Sequence, residues 1–139
     1  MPLLFYGIIG LVIFLFFSGR KKEVDLGDLI TVNPDGSTVQ FGMPSINMAK
    51  AKGIASRLWD EMGSTFITSE SKVMAELAGL NEADYVLIFK AFGMKSYDTV
   101  FSGSGTFWGD DYNLTQWLVH EITSTSNIKT LKTNFPNFF

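Results

Sequence analysis

The sequence predicts a mainly α protein: an N-terminal transmembrane helix, one β-hairpin, then a small bundle of about five short helices. Three observations predict it. Met1 to Gly19 carries no charge and is followed at once by Arg20, Lys21 and Lys22. Apolar residues alternate on either side of Asn33-Pro-Asp-Gly36. From Pro44 onward they recur at helical spacing instead.

The first element is the apolar run. Nineteen helical residues reach roughly 28 Å, close to the hydrocarbon thickness of a bilayer. Leu3, Phe5, Ile8, Ile9, Leu11, Val12, Ile13, Phe14, Leu15, Phe16 and Phe17 are its expected membrane-spanning residues. A cleaved secretory signal places its cations before the apolar run and small residues after it. Here the order is reversed, so a retained anchor is expected. The positive-inside rule puts Arg20, Lys21 and Lys22 on the cytoplasmic side, where they contact anionic headgroups, with Met1 across the membrane. Gly7 and Gly10 are three apart and do not form the four-spaced dimer motif. The expected location is therefore a membrane, single-pass, with the C-terminal domain on the cytoplasmic-derived face. The chain divides into residues 1–22 as anchor with basic flank, 23–44 as connector and hairpin, and 45–139 as helical domain.

The hairpin expectation rests on turn chemistry. In Asn33-Pro-Asp-Gly36 proline presets φ, aspartate bonds back to the chain, and glycine takes φ > 0. Ile30 with Val32, and Val39 with Phe41, give each arm alternating apolar positions. In the helical domain, Ser45 is placed as the cap of a helix through Met62. Ala51, Ile54, Ala55, Leu58 and Met62 form its stripe, and Gly63 its C′ residue. Val73, Met74 and Leu77 mark a second helix ending at Gly79. Asn81-Glu-Ala-Asp84 reads as a capping box for a third, lined by Tyr85, Ile88, Phe89 and Phe92 and closed by Gly93. Met94 to Gly109 reads as an ordered loop rich in glycine and serine. Asp110 or Asp111 is expected to cap a fourth helix with Leu114, Trp117, Leu118 and Ile122 on one face. Asn127 starts a fifth, and the tail Phe135-Pro-Asn-Phe-Phe139 is apolar enough to dock.

Composition excludes many chemistries. There is no cysteine and one histidine, which removes disulfides, thiol nucleophiles and Cys- or His-cluster metal sites. Net charge is −3, and beyond Arg20 to Lys22 the cations are scattered, so no nucleic-acid footprint is present. Glu61, Glu70, Glu121 and the pair Asp110/Asp111 are the candidates for acid–base work. Glu70-Ser71 resembles the Glu-Ser pair of lytic transglycosylases, but the Gly-Leu-Met-Gln-type segment expected downstream is missing. A glycosidase also needs two carboxylates facing across a cleft. Glu70 in the first turn of a helix complements the helix dipole without any catalytic role. His120 and Glu121, adjacent on a helix, point about 100° apart and form no dyad. Trp108, Tyr112 and Trp117 are the candidate partner surface.

Residues 50–135 resemble one annexin repeat. Ala51-Lys-Gly-Ile-Ala-Ser-Arg-Leu-Trp-Asp-Glu-Met62 is similar to that repeat's first helix. Thr68-Ser-Glu-Ser71 is similar to its second-helix start, Tyr85 to Phe92 to its third helix, and Leu114 to Glu121 to its acid-terminated fourth. The resemblance implies a five-helix domain and calcium held by first-loop carbonyls and a downstream acid, for which Glu121 is the matching residue. Gly63-Ser-Thr-Phe-Ile-Thr68 keeps one glycine of that loop, short of the roughly six to eight oxygens calcium takes. No metal and no cofactor are therefore expected.

These readings favour a non-enzymatic, membrane-anchored structural or tethering protein, with the lipid bilayer and a protein layer or larger assembly as partners. A minor membrane protein linking the bilayer of a lipid-containing virion, such as a phage, to its capsid is a concrete case. The alternative class is a membrane-anchored cell-wall hydrolase or an annexin-like lipid-binding module.

Overall fold

A computed structural model describes residues 30–32, 38–63, 67–98 and 109–139. The expected transmembrane residues, Arg20 to Lys22, the Asn33 to Gly36 turn and Trp108 lie outside them. Among the described residues no helix is long and apolar enough to cross a membrane. The chain forms two compact units, Met1–Met43 with Phe138, and Pro44–Asn137 with Phe139.

In the first unit, β1 (Ile30–Val32) pairs antiparallel with β2 (Thr38–Gln40), as the turn chemistry predicts. The register sets Ile30 opposite Gln40 and Val32 opposite Thr38, so the apolar positions of the two arms are out of step. Phe138 belongs to this unit, its ring 5.4 Å from that of Phe41.

The second unit is mainly helical, with five helices among the described residues. The first, α1 (Met48–Met62), buries Ala51, Ile54, Ala55, Leu58 and Met62, the stripe read from the sequence. Its cap is Asn47, whose side chain accepts from the Lys50 amide at 2.8 Å, and not Ser45. Ser45 is taken up by a partner far along the chain. Its amide and hydroxyl donate to Asp84 at 2.6 and 2.7 Å. Gly63 ends α1 with φ −75°, so it is not the left-handed residue expected there. Glycine is required for another reason: a Cβ would stand 2.7 Å from the Trp59 carbonyl oxygen.

The helix α2 (Glu70–Leu77) buries Val73 and Leu77. The helix α3 (Glu82–Phe92) opens with the expected capping box, Asn81 and Asp84 each bonding the other's backbone N–H. Every residue from Ala83 to Phe89 is buried, so α3 is a central helix rather than one with a single apolar stripe. Gly93 closes it at φ 68°.

The next segment departs from the sequence expectation in two ways. The stretch after Gly93 is not only a loop: β3 (Lys95–Tyr97) pairs antiparallel with β4 (Asp110–Tyr112), Ser96 facing Asp111. Aspartate is depleted in strands, which hid β4 from a propensity reading. Gly109 allows the approach, since a Cβ there would meet the Tyr97 carbonyl oxygen at 2.8 Å. Asp110 and Asp111 therefore lie in a strand and cap nothing. The cap of α4 (Leu114–Glu121) is Asn113, in a reciprocal box with Gln116.

The last helix, α5 (Thr125–Asn134), starts two residues before Asn127, with Ser124 at its N-cap; the Ser124 hydroxyl meets the Ser126 hydroxyl at 2.9 Å and caps no backbone amide. Glu70 of α2 holds the residues that lead into α5. It takes the Thr123 amide at 2.7 Å, the Thr123 hydroxyl at 2.8 Å, the Ser124 amide at 3.3 Å and the Asn127 side-chain nitrogen at 2.8 Å. The tail docks as expected. Phe135 and Phe139 lie 4.7 and 5.8 Å from the Tyr85 ring, and Glu82 accepts the Asn137 amide and side chain at 2.9 and 2.7 Å.

Two of these carboxylates titrate abnormally. The Thr123 amide, then the Asn127 side chain, hold Glu70 below the usual carboxylate range. Burial by itself pushes Asp84 up, but donors from Asn81, Ser45 and Ile46 outweigh it and leave that group lowered too. A carboxylate whose folded pKa is depressed contributes stability that is complete above its unfolded value and lost as pH falls through the folded one. Thermal midpoints should therefore be flat from neutrality down to about pH 5 and fall below about pH 4. A scan of the Glu70→Gln variant should show a lower plateau and a shallower acid limb. Replacing Asp84 by alanine leaves the buried Ile46 amide without its acceptor, at about 1–3 kcal/mol, while the Ser45 and Asn81 donors lie on exposed residues that water can reach. Urea denaturation should then show a loss of about 1–3 kcal/mol.

Candidate functional site

The densest gathering of chemistry-bearing side chains sits where the β3–β4 pair meets α4. Residues four apart on a helix share a face, so Trp117 and Glu121 project together from α4, with His120 beside them. Tyr97, at the end of β3, is the hub. Its ring stacks on Tyr112 at 5.1 Å and 9°, and meets Trp117 edge-on at 4.6 Å. The His120 ring lies 5.1 Å from both Tyr97 and Tyr112. The Tyr97 hydroxyl donates to Glu121 at 2.8 Å. The other Glu121 oxygen accepts from the Thr68 hydroxyl, which sits just before α2. His120 and Glu121 both meet Tyr97, one at its ring and the other at its oxygen.

Behind this group the packing is closed. Trp117 is completely buried and donates its indole N–H to the Lys95 carbonyl at 3.2 Å. Its ring stands edge-on to Trp59 at 5.2 Å, and the Lys95 ammonium lies 4.7 Å above the Trp59 ring. Trp117 is therefore core and cannot serve as partner surface. Tyr112 is half-buried, while His120, Asp110 and Asp111 are exposed. Of the two candidate surface residues among the described residues, Tyr112 is the one left reachable.

The other candidates are separated from this group or occupied. Glu70 is the acceptor for the start of α5. Glu61 pairs with Lys72 at 3.1 Å, and Arg57 with Glu76 at 2.7 Å. These four line an open cleft of about 270 Å³ with Asp60 and Ala75. Among the described residues no group of three or more His, Asp or Glu could hold a metal ion. Glu121, the weak metal candidate, instead has a hydroxyl donor on each oxygen.

Sequence reading missed Tyr97 and Thr68 as members of this group. Tyr97 was visible as one aromatic in a loop, but its role depends on a strand pairing that local sequence does not signal. Thr68 lies 53 residues from Glu121, a separation no local pattern spans. No protein-family model, no curated protein and no solved structure matches this chain.

Removing the Tyr97 hydroxyl leaves one Glu121 oxygen without its donor while keeping the ring in place. Tyr97→Phe should lower stability by roughly 0.5–1.5 kcal/mol in urea titration. Tyr112→Ala should matter mainly through its lost stacking, at about 0.5–1.5 kcal/mol. A double-mutant cycle between Tyr97→Phe and Thr68→Val should show coupling, since both hydroxyls serve one carboxylate.

Proposed function

We propose that this chain is a non-enzymatic membrane tether: its N-terminal segment inserts in a bilayer, and its helical unit engages a protein layer beside that bilayer. The observation that carries the reading is the uncharged run Met1 to Gly19 ending at Arg20-Lys21-Lys22, long enough for one bilayer crossing and oriented by the cations after it. The engagement of the acidic side chains lends support. Asp84, Glu70 and Glu82 each hold the backbone of a distant segment, and the donors around Asp84 and Glu70 lower the pKa of those two carboxylates, which makes them poor proton donors at neutral pH. That weighs against a wall hydrolase built on Glu70. Tyr112 and His120, with Asp110 and Asp111, are the side chains this reading offers to the partner. A minor membrane protein joining a virion bilayer to its capsid remains the concrete case.

A second reading is an annexin-like lipid-binding repeat. The contact of Glu121 with Thr68 favours it, because the resemblance places that acid against the loop between the first two helices.

Crosslinking mass spectrometry on the native membrane or particle fraction tests the tether. Crosslinks from Lys50, Lys72, Lys90 or Lys129 should converge on one abundant shell or scaffold protein, and Tyr112→Ala should reduce them. No recurrent protein partner overturns the proposal. Sedimentation of the chain with phosphatidylserine vesicles only when calcium is added would favour the second reading instead.

A further inference from the structure

We draw no further inference here: the strongest candidate, the Tyr112–His120 ring pair beside the exposed Asp110 and Asp111 where β4 meets α4, is a surface patch already within the site described, and nothing in the structure shows what covers it.

Discussion

The helical unit depends first on the Asp84 carboxylate. It closes the capping box of α3 through the Asn81 amide at 3.0 Å and receives the Ser45 amide, the Ser45 hydroxyl and the Ile46 amide. No cation neutralises it among these partners; four N–H and O–H dipoles do. A completely buried carboxylate is tolerable only when its oxygens are satisfied in this way. The consequence is architectural. The segment entering α1 is fixed to the start of the central helix, which holds α1 and α3 side by side where their apolar faces pack.

The same device recurs. Glu70 joins the start of α2 to the start of α5, and Glu82 joins α3 to the tail at Asn137. Each uses an acid in the first turn of one helix, where the helix dipole already favours negative charge. Each then extends that charge to the unpaired amides of a second segment. Such charge-assisted bonds are worth more than neutral ones. By contrast, the ion pairs Arg57–Glu76 and Lys72–Glu61 lie on an exposed cleft, where pairs contribute about 0–1 kcal/mol. The acids of this unit therefore matter as hydrogen-bond acceptors more than as members of ion pairs.

This division explains what could be read from the sequence. Local rules sufficed where both partners lie within one turn. Asn81 and Asp84 announced α3, and the apolar spacing of Ala51 to Met62 gave the buried face of α1. They failed where a distant group competes. Ser45 is a good cap by type, but Asp84 claims it and Asn47 caps α1 in its place. Asp110 and Asp111 are good caps by type, but the pairing with β3 draws them into a strand and leaves Asn113 to cap α4. The box Asn113 to Gln116 is present in the sequence beside two acids that are as good caps by type. Glu70 was correctly read as belonging to a first turn, yet its role as acceptor for α5, 53 residues away, had no local signal. The candidate site behaved alike: Tyr112 and Glu121 were legible as residues, whereas their meeting at Tyr97 came from strand pairing. Trp117 looked like a surface anchor because sequence gives residue type, not depth.

These carboxylate-to-amide ties are the framework that holds the helical unit in one arrangement. Amide hydrogen exchange of the full chain in detergent micelles, read by NMR at Ser45, Ile46, Thr123 and Ser124, tests it most directly. All four amides lie outside helices, where exchange is ordinarily fast unless a bond protects them. Bonds to Asp84 and Glu70 should give them protection comparable to that of amides within α1 and α3. Exchange of all four at the rate of an open chain, with α3 still protected, would contradict it.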